Sequence, residues 1–269
     1  MRQYRTLLLG AALAFALAPA RAQEAKPPLP PKEGIKAFAD VITKDAKADT
    51  GLFNVYRVKQ KWYFEIPKKE IGKDFLLVSS QAAAQTGLGY GGDEVNDRVA
   101  RWERVEDRIL LRSVMFFAVA ADTLPISYAV RKATNAPILM SFDIQAYNKD
   151  SSAVVIDVSG LFTADMTEFG LSRFERDQYK VRRLDPSRTF VERKKPFPDN
   201  LEVEVMLTYD AGAVPMDPSL STISIVMHHS MVRLPEKPMT PRLFDPRVSF
   251  FGIFQYDYGY DSQRAEEQR

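Results

Sequence analysis

No cysteine occurs in the 269 residues. Disulfides, thiolate nucleophiles and cysteine-held zinc or iron–sulfur centres are therefore excluded, and stability has to come from packing. Histidine is nearly as scarce, limited to the adjacent pair His228 and His229. The chain thus has no H-E-x-x-H, the i, i+4 arrangement that turns two imidazoles toward one zinc. It has no G-x-S-x-G turn to present a nucleophilic serine. Beyond residue 17 no apolar run approaches the ~20 residues that a membrane-spanning helix requires. A strong net charge is missing as well.

What is present begins with a targeting pattern. Arg2 and Arg5 precede a nearly all-apolar stretch from Thr6 to Leu17, and Ala20-Arg21-Ala22 reads as a small-x-small cleavage site. Residues 1–22 are expected to be a secretory signal peptide cut before Gln23, with export to the periplasm or the extracellular space. Removing Arg2, Arg5 and Arg21 leaves 34 basic against 35 acidic residues. A near-neutral mature chain gives no reason to expect nucleic acid as a partner. Residues 23–32 are proline-rich and polar, an extended linker.

The remainder reads as mainly β: antiparallel, sandwich-like sheets with a few short helices. Ile35, Phe38, Ala39 and Ile42 lie at helical spacing, so a helix is expected near 34–44. Leu52–Val58 and the aromatic run around Trp62, Phe64 and Ile66 form a hairpin across Lys59-Gln60. With Phe75–Val78 they make a small module over 33–80. Residues 81–269 are assigned to a larger β-rich domain. In it, 81–96 is read as a loop, Val99–Val105 and Ile109–Phe117 as a hairpin across Glu106-Asp107, and Ile138–Tyr147 and Val154–Val158 as strands. Residues 165–196 are read as a charged, irregular excursion. Leu201, Val203, Val205 and Leu207 alternate with polar neighbours, a half-buried strand, and Ile223–Val232 is another.

Several patterns invite chemistry. Gly87, Gly89 and Gly92 match G-x-G-x-x-G, but no strand leads directly into them and no helix leaves, so they are read as a glycine loop and not a dinucleotide site. Glu202 and Glu204 share a strand face read as solvated. Asp157 ends a strand and is read as a cap on the turn at Ser159-Gly160. Strand alternation splits the histidines. His229 falls with Ile223, Ile225, Met227 and Met231, facing a core with its ring nitrogens hydrogen-bonded. His228 falls with Thr222, Ser224 and Ser230, facing a polar surface or groove. Beyond them, Pro235, Pro238 and Pro241 hold the chain extended. Arg233, Arg242 and Arg247 are interspersed, and Asp245 is expected to pair with an arginine fork.

This last stretch, "HHSMVRLPEKPMTPRLFDPRV" (228–248), resembles a segment of large secreted bacterial zinc-dependent metalloproteases of the metzincin-like type, which carry two N-terminal domains of unknown function. Residues 38–80 resemble the shorter of those domains. "RVARWERVEDRILLRS" (98–113), "SSAVVIDVSGLF" (151–162) and "KPFPDNLEVEVMLTY" (195–209) resemble the longer one. The family's catalytic H-E-x-x-H-x-x-G-x-x-H helix has no counterpart here, and Ser249 stands where the pattern leads one to expect glycine.

The resemblance implies a non-catalytic N-terminal region that scaffolds or shields a C-terminal protease domain. That domain, not this chain, would hold zinc, so no catalytic or metal-ligating residue is assigned here and no cofactor is expected. A second reading is a stand-alone module binding a peptide or glycan on a β face near His228, Tyr209, Arg242, Asp245 and Arg247. A third is a hydrolase built on His228 with Asp157 or Ser230. Elemental analysis of the purified chain should find no stoichiometric zinc; one bound zinc per chain would contradict this assignment.

Overall fold

The computed structural model describes residues 34–240, 245, 247 and 255–259. The signal-peptide and linker assignments therefore lie outside the described residues. The first element among the described residues is a single helical turn, α1 (Phe38–Val41), shorter than the helix expected over 34–44. Three strands follow, β1 (Lys47–Asp49), β2 (Asn54–Val58) and β3 (Lys61–Pro67), then β4 (Asp74–Ala84), β5 (Glu94–Val105) and β6 (Arg108–Val114). After β7 (Ala118–Val119) come α2 (Ile126–Ala133), β8 (Ile138–Tyr147), β9 (Ala153–Asp157) and α3 (Arg173–Gln178). The last strands are β10 (Val181–Leu184), β11 (Phe190–Pro196), β12 (Asn200–Ala211), β13 (Thr222–Arg233) and β14 (Tyr256–Asp257).

Among the described residues the architecture is mainly β, as the strand-like runs of the sequence suggest: one large antiparallel sheet of twelve strands and few short helices. The order is β1-β2-β3-β9-β8-β6-β5-β4-β13-β12-β10, and β11 pairs with β12 on the same edge as β10. The hairpins at Lys59-Gln60 and Glu106-Asp107 form as read, with Lys59 and Glu106 in left-handed backbone. Two readings need correction. Residues 81–84 and 94–96 are strand, so the loop is confined to 85–93. The 165–196 stretch is not an irregular excursion, because it supplies α3, β10 and β11. The described residues from Gly34 onward form one compact unit, and β4 runs through residue 80 to pair with both β5 and β13.

A single sheet buries an apolar face only by bending it onto another apolar face, and here it rolls onto itself. Its two ends meet where the Leu52 amide donates to the Phe197 carbonyl at 2.6 Å. Glycine is required at 51 by this approach: a Cβ there would stand 2.6 Å from the Phe197 carbonyl oxygen and 2.8 Å from its nitrogen. Beside the contact, Phe53 projects inward and packs on Phe64 of β3, Phe75 of β4 and Trp102 of β5, with ring centroids 5.9, 5.7 and 6.3 Å away. Offset and edge-to-face pairs of this kind add to the burial of large rings. The main core continues through Leu111, Ile156, Leu201, Val205 and Ile225, drawing on nearly every strand of the sheet. A smaller cluster of Val41, Ile42, Tyr63, Ala146 and Val155 lies apart from it, beneath α1. It explains why β3 is buried on both faces, where simple alternation would expose one.

Lys194 of β11 stands at the same seam. It is 3% exposed, and its Nζ donates to the Val158 carbonyl at 3.2 Å. The ammonium also sits 5.2 Å from the Trp62 ring and 5.4 Å from the Phe64 ring. Burial pushes its pKa down to about 7, against the upward pull of Asp157. An unfolded lysine, near 10.5, holds its proton over a range where the folded one releases it. The charge thus costs stability in full below about pH 7, and the cost fades as pH rises toward 10.5. Lys194→Met should stabilise the fold at pH 6 by about 1–4 kcal/mol, with a smaller gain at pH 9. Denaturant unfolding at the two pH values measures this, and a gain that does not shrink with pH would count against it.

Candidate functional site

β13 carries the histidine pair, and its alternation holds over its full length: Ile223, Ile225, Met227, His229 and Met231 are all buried. His229 is 0% exposed. It stacks on Phe162 at 4.5 Å and meets Phe169 edge-on at 5.7 Å. Its Nδ1 lies 2.8 Å from the Ser79 hydroxyl, while Nε2 has no hydrogen-bond partner among the described residues. The expectation that both ring nitrogens would be bonded therefore holds for one of them. Burial, and to a lesser degree neighbouring His228, pushes the ring's pKa down to about 3. His229 is thus a neutral core imidazole.

His228 faces the other way. Its Nε2 is 2.5 Å from Glu202 Oε2 on β12, and the Ser230 hydroxyl donates to Glu202 Oε1 at 2.7 Å. The Asn200 amide donates to the same oxygen. The register accounts for this, since Glu202 is opposite Ser230 and Glu204 is opposite His228 on adjoining strands. Glu202 is the hub of a polar cluster and not one of a row of merely solvated carboxylates. Ser230 and His228 each end on Glu202 and not on each other, so no serine–imidazole relay is formed. Asp157 does not join them. It accepts from the Ser159 amide and hydroxyl at 3.0 and 2.6 Å and from Lys61 Nζ at 3.0 Å, the turn cap expected for it.

None of the other described residues singled out from sequence is hydrogen-bonded to His228. Tyr209 is 1% exposed and lies on the core face of β12, so its assignment to a binding surface is corrected. Arg176 stacks over its ring at 5.2 Å, and a methyl group at Gly170 would overlap its hydroxyl. Burial raises the phenol to about 12. Arg242 lies outside the described residues. Asp245 and Arg247 pair with each other at 2.6 Å as an arginine–carboxylate fork. Arg233 is committed to Asp199 at 3.0 Å and to buried Glu70 at 3.1 Å.

A second location, missed by sequence reading, is better shaped for a ligand. A cleft of about 620 Å³ opens between the glycine loop and α3. This is the size of sites that hold small molecules or single side chains. Asp93 and Glu94 line one wall; Phe174, Glu175 and Tyr179 line the other. The loop wall is pinned by backbone bonds, Gln81 N to Asp93 O at 2.9 Å and Gly92 N to Gln81 O at 2.7 Å. Gly87, Gly89 and Gly92 all have positive φ, and β5 follows them directly, so no helix leaves the glycine loop as the dinucleotide fingerprint requires. The opposite wall starts with a capping box: Glu175 N donates to Ser172 Oγ, and Ser172 N donates to Glu175 Oε2. That S-x-x-E spelling is visible in the sequence and would have flagged α3.

Comparison with protein families gives two matches. Residues 35–84 match a domain of unknown function, DUF5118, and residues 92–269 match a second, DUF5117. No curated protein and no solved structure matches the chain.

The histidine geometry makes acid stability the natural test of the buried ring. Below about pH 6.5 the unfolded chain takes up a proton that folded His229 refuses down to about pH 3, so stability falls across that interval. His229→Phe should lose about 1–2 kcal/mol at pH 7, because Ser79 loses its partner. It should nevertheless show a shallower loss of stability between pH 6.5 and 3 than the parent. Denaturant midpoints across a pH series decide the matter, and parallel curves would refute it.

Proposed function

The chain belongs to the DUF5117 family, and from that premise we propose that it is the non-catalytic region of an exported, zinc-dependent metalloprotease-like protein. In this reading it scaffolds or shields a protease domain that follows it, and presents part of the surface over which peptide substrate passes. The observation that carries the reading is the fate of the segment that resembles the metalloproteases. Its two histidines are spent on structure: one is stacked in the core and the other bound to Glu202. The quoted resemblances to a shorter and then a longer N-terminal domain also run in the same order as the two matched families. Zinc, in this reading, belongs to the protease domain.

A second reading, a stand-alone module that binds a peptide or glycan outside the cytoplasm, is favoured by the cleft beside the glycine loop. The two differ in what the gene encodes next. Reading the frame beyond Arg269 into an H-E-x-x-H helix supports the first. A stop codon immediately after Arg269 overturns it in favour of the second.

A further inference from the structure

The cleft between the glycine loop and α3 is built from acceptors. Its wall residues include three carboxylates, Asp93, Glu94 and Glu175, and no Lys, Arg or His among the described residues. One oxygen of Glu175 is taken by the Ser172 amide, and one of Asp93 by the Tyr90 amide at 2.9 Å. A carboxylate has about four lone-pair sites, so each keeps acceptor capacity.

Gln81 gives the second, independent indication. It is 4% exposed, it lines the cleft, and its Oε1 is buried without a hydrogen-bond partner among the described residues. An orphaned buried acceptor carries a desolvation cost of about 1–3 kcal/mol that a donor from outside would relieve. Gly89 stands beside this acceptor. A Cβ at that residue would lie 3.0 Å from Asp93 Oδ2 and 3.3 Å from Gln81 Oε1, so the two oxygens converge on the space a side chain would fill. The φ of +108° at Gly89 makes glycine necessary on backbone grounds too. At the mouth, Phe174 is 75% exposed, and Tyr179 lines the same wall. Aromatic faces beside carboxylates suit a cation.

We propose that this cleft binds the lysine or arginine side chain of a peptide, the cationic head lying between Asp93, Glu94 and Gln81 and its aliphatic stem running along Phe174 and Tyr179. The proposal rests on the reading above only in that the chain presents a peptide-binding surface, and it names what that surface selects. A neutral glycan fits less well, because it would leave three carboxylates uncompensated.

The test uses the full chain and a fluorescein-labelled, acetylated and amidated heptapeptide, Gly-Ala-Ala-Lys-Ala-Ala-Gly, followed by anisotropy at low salt. Saturable binding is expected. Norleucine in place of the lysine should weaken it about tenfold, and 0.5 M salt should weaken it as well. Glu94→Gln, an exposed change with no bearing on folding, should weaken it several-fold. Gln81→Leu should do the same while circular dichroism shows the fold retained. Absence of binding at millimolar peptide overturns the proposal. So does equal affinity for the norleucine peptide, or indifference to both substitutions in folded protein. Competition by a neutral oligosaccharide as strong as by unlabelled peptide would transfer the cleft to glycans. Each of these failures leaves the scaffold reading untouched, since that stands or falls on the reading frame.

Discussion

The approach of Gly51 to the Pro196–Phe197 backbone is the contact on which the remaining architecture depends. A twelve-stranded sheet with one apolar face has either to find a second layer or to become its own second layer. Here it takes the latter course, and the place where its ends meet admits no side chain. The Leu52–Phe197 hydrogen bond fixes that meeting, and it drives Phe53 inward to become the shared neighbour of Phe64, Phe75 and Trp102. A seam held by main-chain contact also explains how a buried lysine is tolerated there. Lys194 has a carbonyl acceptor and two ring faces in reach because β11 has been brought against the end of β9.

Polarity inside the roll follows from the same geometry. His229 and Gln81 point inward on adjoining strands because the two-residue period leaves no alternative once their neighbours are buried. Each keeps one ring or amide atom without a partner among the described residues. For His229 the compensation is stacking on Phe162 and a bond to Ser79. For Gln81 no such compensation is made, and the residue lines the cleft. Outside the roll, the polar row is self-satisfying: Glu202 gathers His228, Ser230 and Asn200. The chain's most conspicuous residue pair thus ends as one core ring and one surface strut.

Strands buried on one face were legible from alternation alone, as β12 and β13 show, and so was the opposition of His228 and His229. Edge strands were not. β10 and β11 are rich in Arg and Lys and largely exposed, so they carry no apolar period, and their pairing with β12 is decided by the sheet as a whole. The far end of β4 was hidden in the same way, since Gln-Ala-Ala-Ala has little strand propensity until the glycine loop folds back over it. Tyr209 was misplaced although parity held the answer: it keeps step with Leu201, Val203, Val205 and Leu207, all core residues. The cleft was illegible for a different reason. Its walls are about 80 residues apart in sequence, and only the closed roll brings them together.

α3 has six residues and none of them is buried. It is held by its capping box and by Arg176, which reaches Asp165, the Leu171 carbonyl and the Tyr209 ring. The loop across from it, by contrast, is stitched into the sheet at Gln81. The cleft therefore has one jaw that belongs to the framework and one that hangs from it by Arg176 and by the Tyr179 carbonyl, which accepts from the Ala213 amide at 3.0 Å. Substitutions at exposed Phe174 or Gln178 re-cut the second jaw without unsettling the first, so what the cleft grips is free to change while the rolled sheet that carries it stays the same.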